Sequence, residues 1–223
     1  RIAVDNLAGT LGPRALAATG DLHWHNGELA FNDFRIDQGA NRARLTGRLG
    51  ATWSTDATLE LGNLSTLLPA LAGQATGSAR IGGTPADPQI DFALEARALR
   101  LPAVTLPAPL ARTLQVPLAD WAVQGTATLR TVHIADATTR APDFAITATG
   151  DVGWQRGLRW DVATRLTDFP LGRLAPELAG RVSGPFATRG ELDGTLAALD
   201  VDTRLAGTLD EQPLTLRAEV RQD

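Results

Sequence analysis

Apolar and polar residues alternate along much of the chain. Over 44–53, Leu45, Gly47, Leu49, Ala51 and Trp53 share one face, opposite Arg44, Thr46, Arg48 and Thr52. Over 89–96, Ile90, Phe92, Leu94 and Ala96 oppose Gln89, Asp91 and Glu95. Over 144–154, Phe144, Ile146, Ala148, Val152 and Trp154 oppose Thr147, Thr149 and Asp151. Over 158–166, Leu158, Trp160, Val162 and Leu166 oppose Arg159, Asp161 and Arg165. The runs 201–209 (Val201, Leu205, Leu209) and 214–220 (Leu214, Leu216, Ala218, Val220) repeat the pattern. A period of two predicts strands with one apolar and one wet face. Such strands belong to antiparallel sheets, since buried parallel strands read as unbroken apolar runs.

The punctuation agrees with this reading. Asn26-Gly27 is a two-residue hairpin signal, and Gly82-Gly83 and Asp193-Gly194 are turn dipeptides of the same kind. Gln155-Arg156-Gly157 suits a three-residue hairpin loop. Helical signal is sparse: Leu64, Leu67, Leu68 and Leu71 predict a short helix near 64–72, and Leu171, Leu174 and Leu178 another near 171–179. Prolines 102, 107, 109 and 117 mark 102–118 as a connector, with a helical turn expected near Leu110–Leu114. The connector separates a first β unit, 1–101, from a second, 119–223.

The two units repeat one another. Leu67-Leu68-Pro69-Ala70-Leu71-Ala72-Gly73 matches Leu174-Ala175-Pro176-Glu177-Leu178-Ala179-Gly180, and the same offset carries Trp53 onto Trp160 and Leu59 onto Leu166. Repeats of this kind predict an all-β, elongated antiparallel-type array with one or two short helices rather than a compact barrel.

Composition changes this picture mainly by exclusion. All 21 basic residues are Arg, which removes lysine nucleophiles and the P-loop lysine; there is no Cys, which removes thiol chemistry and cysteine-ligated metals. A net charge of -4 and an aromatic content of 5% give no footprint for nucleic acid. No apolar run reaches the ~18–20 residues of a membrane-spanning helix. The chain begins at Arg1 and contains no Met, so it reads as a fragment of something longer.

Candidate chemistry is thin. His23 and His25 share a strand face but have no third ligand at metal spacing. Asp200 with Asp202, and Asp33 with Asp37, read as solvated charges. None of the four Ser residues sits in a nucleophile elbow, and Gly82-Gly83 opens no helix that would cradle a phosphate. No catalytic residue, metal or cofactor is expected, and no enzyme. The best functional candidate is the apolar face itself: Leu45, Leu49, Trp53, Leu59, Leu61, Ile90, Phe92, Leu94, Phe144, Ile146, Val152, Trp154, Leu158, Trp160, Val162, Leu166, Val201, Leu205, Leu209, Leu214 and Leu216. Alternation alone fits two arrangements, a closed two-sheet core or an open groove that accepts acyl chains.

Gly83-Thr84-Pro85-Ala86-Asp87-Pro88-Gln89-Ile90-Asp91, Gly194-Thr195-Leu196-Ala197-Ala198-Leu199-Asp200-Val201 and Gly207-Thr208-Leu209-Asp210-Glu211-Gln212-Pro213-Leu214-Thr215-Leu216 resemble the repeats of the TamB family, within the AsmA-like group. The resemblance spans roughly 40–101 and 143–220. It implies a β-taco, a long U-shaped sheet with an apolar interior, in the periplasm of a diderm bacterium, anchored to the inner membrane by a segment absent here. It further implies phospholipid acyl chains as cargo, a role in outer-membrane protein assembly, and a TamA-like (Omp85-type) partner met through a region outside the fragment. The alternative reading is a scaffold that holds unfolded outer-membrane strands by β-augmentation.

Overall fold

Alternating segments of this length satisfy their backbone N–H and C=O groups by pairing edge to edge, and the chain does so in order. The computed structural model describes residues 7–11, 14–66, 71–100, 104–105, 113–114, 119–155, 157–173, 177–193 and 195–222. The strands are β1 (Leu7–Leu11), β2 (Arg14–His25), β3 (Glu28–Gln38), β4 (Asn41–Leu49), β5 (Trp53–Leu61), β6 (Ala72–Thr84) and β7 (Asp87–Arg100). A small hairpin follows, β8 (Val104–Thr105) with β9 (Thr113–Leu114). Then come β10 (Ala119–Ala127), β11 (Thr131–Arg140), β12 (Ala145–Gly153), β13 (Leu158–Pro170), β14 (Gly180–Asp193), β15 (Thr195–Leu209) and β16 (Gln212–Gln222).

Apart from β8 and β9, the strands form one 14-stranded antiparallel sheet in chain order, with β7 pairing directly with β10 across the connector. At about 4.8 Å per strand, the stack runs roughly 60 Å along its hydrogen-bonding direction. The sheet is curled and not closed, with β1 and β16 at its edges. No second sheet covers it among the described residues; the only other sheet is the two-stranded β8–β9 pair. The two-sheet core is therefore not the arrangement adopted.

Several expectations shift in detail. The run 44–53 is two strands, because β4 ends at Leu49 and β5 starts at Trp53; these residues pair directly, which keeps them on one face. Phe144 and Trp154 flank β12 rather than lying in it. Asn26 (φ 48°) and Gly27 (φ 79°) form a two-residue turn with both central residues left-handed. Gly82 and Gly83, by contrast, lie inside β6, and the turn falls on Pro85 and Ala86. Gly157 is left-handed (φ 115°) before β13, while Arg156 and Gly194 lie outside the described residues.

The helical segments are single 3-10 turns, Leu64–Thr66 and Leu171–Arg173. Residues 67–70 and 174–176 lie outside the described set, and Ala72 and Gly180 already begin strands. In the expected helical turn near Leu110–Leu114, Thr113 and Leu114 are extended as β9; 110–112 lie outside the described residues.

Bulges bend the long strands. Non-glycine residues occupy left-handed backbone at Asp33 (φ 53°), Ala98 (φ 49°) and Asp168 (φ 51°). The register slips between Phe31 and Phe34 in β3 and between Leu166 and Phe169 in β13. The backbone N–H groups freed at two of these bulges find side-chain acceptors on the next strand: Ala98 N–H donates to Asp120 Oδ1 (2.9 Å) and Asp168 N–H to Ser183 Oγ (2.8 Å). Gly47 (φ 132°) sits where a Cβ would collide with the Ser54 carbonyl and Thr55 Cα.

The meander gives the sheet two unlike lips. The described turns at 26–27, 50–52, 85–86, 128–130 and 154–155 line one, the hairpin lip. The described turns at 39–40, 62–66, 141–144, 171–173 and 210–211 line the other, the looped lip.

Candidate apolar trough

Pairing in register converts alternation along each strand into rows across the sheet. One row runs Trp24, Leu29, Leu49, Trp53 through β2–β5. The next joins Phe31, Gly47, Thr55, Ile81 and Ile90, and continues through Val132, Val152 and Trp160. Deeper rows join Phe34, Leu45, Ala57 and Phe92, then Leu59, Leu94 and Val123. Leu61, Ile146, Val162, Leu166, Val201, Leu205, Leu209, Leu214 and Leu216 occupy paired positions of the same face. From β3 to β15, no paired position on this face carries an ionisable side chain.

The apolar face is the sheltered one. In β4, Ala43, Leu45, Gly47 and Leu49 are half-buried while Arg42, Arg44, Thr46 and Arg48 are exposed. No described side chain is completely buried, which fits a trough rather than a closed core. Several polar groups on the apolar side and at its rim are tied up within the chain, although the Trp121 indole N–H is buried without an acceptor. Thr55 Oγ1 donates to the Arg48 carbonyl (3.1 Å), and Thr203 Oγ1 to the Pro185 carbonyl (3.3 Å). The Trp160 indole N–H donates to Thr188 Oγ1 (3.2 Å), and the Trp154 indole N–H to the Leu129 carbonyl (2.8 Å). Gly190 leaves room for the Trp160 ring, which fills the space a Cβ would need.

The outer face is ionic. Asp37 bonds Arg42 at 2.7 Å, Arg189 bonds Asp161 at 2.6 Å and Arg159 bonds Glu191 at 2.7 Å. Asp33 bonds both Arg35 and Arg44, and those contacts, led by the Arg35 hydrogen bond, hold its carboxyl below the ordinary carboxylate value. Asp37 nearby, with Glu60, raises the Arg42 guanidinium above its ordinary value. These exposed pairs contribute little each to stability.

A depression of about 550 Å³ lies over β12–β15 and includes Asp151, Arg159, Asp161, Arg189, Glu191 and Asp200, mostly outer-face residues. Its guanidinium groups already pair with Glu191 and Asp161, so it offers no free cation to a ligand. His23 and His25 lie on β2, and His133 Nδ1 lies 2.9 Å from Asp151. Among the described residues no group of three or more His, Cys, Asp or Glu is placed to hold a metal.

Sequence reading missed part of the trough. Phe31 and Phe34 both line it, with ring centroids 5.9 Å apart, although they are three residues apart. The bulge at Asp33 shifts the alternation there, and the pair Asn32-Asp33, residue types that tolerate left-handed backbone, set between two phenylalanines, was the available signal. Ile81 was hidden by the small residues Ala75, Gly77 and Ala79 that share its face.

An extended, open β-trough, apolar within and charged without, is the class of protein that this fold defines. The chain belongs to the TamB N-terminal domain family, whose model matches residues 1–108 and 110–223. Members are transport and assembly components of the cell envelope, which makes this an envelope-biogenesis protein. No curated protein and no solved structure matches the chain. No helix among the described residues is long and apolar enough to cross a membrane.

Proposed function

We propose that the trough carries phospholipid acyl chains between the inner and outer membranes, in the periplasm, and thereby supports outer-membrane protein assembly. The observation that carries this reading is the uncharged apolar face, continuous from β3 to β15 and covered by no second layer among the described residues. A phospholipid crossing water exposes its chains at about 0.8 kcal/mol per CH₂. A continuous apolar face removes most of that barrier, while weak contacts keep the lipid from being trapped. A TamA-like (Omp85-type) protein is the partner that this reading expects at the outer membrane.

Native mass spectrometry of detergent-free protein tests the reading. Phospholipid adducts are expected, and Leu49→Glu, Phe92→Glu or Trp160→Glu should lower their occupancy while the β-sheet circular dichroism persists. Protein free of lipid after exposure to phospholipid vesicles would overturn it. A β-augmentation scaffold draws its support from a different feature, the edge strand β16, which has no strand partner on its far side among the described residues. Crosslinking of a nascent barrel protein to β16, with no lipid signal, would favour that second reading.

A further inference from the structure

The two lips of the trough differ in what already fills them. At the looped lip the chain packs against itself: Leu171, Val182 and Leu205 are buried together, with Phe169 and Leu178 against them. The 3-10 turn that buries Leu64 is fastened to β4, since Asn41 Nδ2 donates to the Asn63 carbonyl (3.2 Å) and Asn63 N–H donates to Asn41 Oδ1 (3.0 Å). At the hairpin lip no leucine or tryptophan is buried among the described residues, and Trp24, Leu158 and Leu192 stand 52%, 41% and 39% exposed; in the other half Leu216, opposite Leu205 on the edge strand β16, is 44% exposed.

The tryptophans follow the same division. Trp24, Trp53, Trp154 and Trp160 lie at or near the hairpin-lip ends of their strands and connections, and only Trp121, at the start of β10, lies toward the looped lip. Indole rings suit a boundary where an apolar chain on one side meets water and headgroups on the other.

Resting on the lipid reading above, we infer that the acyl chains occupy only the hairpin-lip half of the trough, with headgroups leaving over that lip, and that the looped-lip half is the protein's own core. An acyl chain at the hairpin lip replaces water; at the looped lip it must displace packed side chains. The occupant is a hydrocarbon rather than a peptide for a second reason. The strand backbone inside the sheet is consumed by the ladder, and the face offers only scattered hydroxyls such as those of Thr55 and Thr188, so a peptide lying on it would leave most of its own amides unpaired. An acyl chain has no such groups.

Photocrosslinking maps the track. p-Benzoylphenylalanine replaces Leu158 or Leu192 at one lip and Leu178 or Leu214 at the other, and each protein meets vesicles of radiolabelled dioleoylphosphatidylglycerol. Labelling several-fold stronger at 158 and 192 is expected. Equal or reversed labelling overturns the half-trough track but leaves the lipid reading standing. No labelling at any of the four positions, in proteins that keep their sheet signal, sinks both. Suppression of labelling at 158 and 192 by an unfolded barrel-strand peptide overturns the hydrocarbon occupant. The unmodified protein supplies a check free of substitution in the trough: lipid brominated on its acyl chains should quench most of the tryptophan emission, and Trp121→Phe should leave the quenched amplitude unchanged. Loss of most of that amplitude in Trp121→Phe also overturns the inference.

Discussion

The hairpin lip and the looped lip are built from the same strands, yet they solve the burial problem differently. At the looped lip the 3-10 turns Leu64–Thr66 and Leu171–Arg173 pack on the sheet, and Leu64, Leu171, Val182 and Leu205 are each at most 9% exposed. At the hairpin lip the turns are too short to return, and large apolar side chains stay in contact with solvent. Loop length, not residue hydrophobicity, decides which leucines become core: Leu192 and Leu205 belong to neighbouring strands and have the same side chain, but only one finds a roof. Most of the stability should therefore reside at the looped lip, and the hairpin lip is free to serve a ligand.

The most direct way to break this comparison is to truncate both leucines. Leu205→Ala should lower unfolding stability by about 2–3 kcal/mol, because a buried cluster loses contacts and gains a cavity. Leu192→Ala should change it by roughly 0.5 kcal/mol or less, as at an exposed site. Urea midpoints measured without lipid decide the matter. Comparable losses at the two sites would mean that the hairpin lip is also core.

Much of this organisation was legible in the residues, and the illegible part has physical causes. Alternation is a local property, so Leu45, Ile90, Val152 and Leu214 declared their common face without any knowledge of their neighbours. Asn26-Gly27 declared a turn because few residue pairs accept two left-handed conformations in succession. Gly82-Gly83 misled because glycine serves strands as well as turns, and Pro85-Ala86 closes that hairpin. The leucines at 64–71 carry helical spacing, but only Leu64–Thr66 is described before β6 begins, and it is a 3-10 turn. The unlike lips were not visible, because they follow from where connections fold back, which is a long-range property. The pairing of β7 with β10 across the connector has no signature in either strand.

A smaller effect sharpens the account of how the looped lip is shaped. Ala98 sits near the end of β7 in left-handed backbone (φ 49°) that alanine rarely adopts, and its N–H is held by Asp120 Oδ1. Left-handed backbone costs an L-residue about 1–2 kcal/mol. Glycine removes that strain but loses about 0.5–1 kcal/mol more chain entropy on folding. Ala98→Gly should therefore raise stability by roughly 0.5 kcal/mol, read as a higher urea midpoint with an unchanged slope. A lower midpoint would show that the strain at Ala98 is smaller than the entropy that glycine loses on folding.

The smallest effect concerns the strand that passes from one lip to the other with Asp33 at its bend. Asp33 projects the two phenylalanines beside it into the trough and holds Arg35 and Arg44 on the outer face. Its carboxyl lies below the ordinary value, first through the Arg35 hydrogen bond, with desolvation opposing and Arg44 adding to the lowering. A carboxyl lowered on folding adds stability above its unfolded-state value, and that stability disappears as pH falls through the folded-state value. Asp33→Asn keeps a residue that tolerates the left-handed bend and removes only the charge. The variant should be slightly less stable than the parent at neutral pH, and the gap should close as pH drops through the acid range. Added salt should narrow the gap as well, since the pairs are exposed. A gap that persists unchanged at low pH and high salt would assign the bend to the hydrogen-bond geometry of Asp33 and not to its charge. In that case the curl between the lips is fixed by backbone conformation alone.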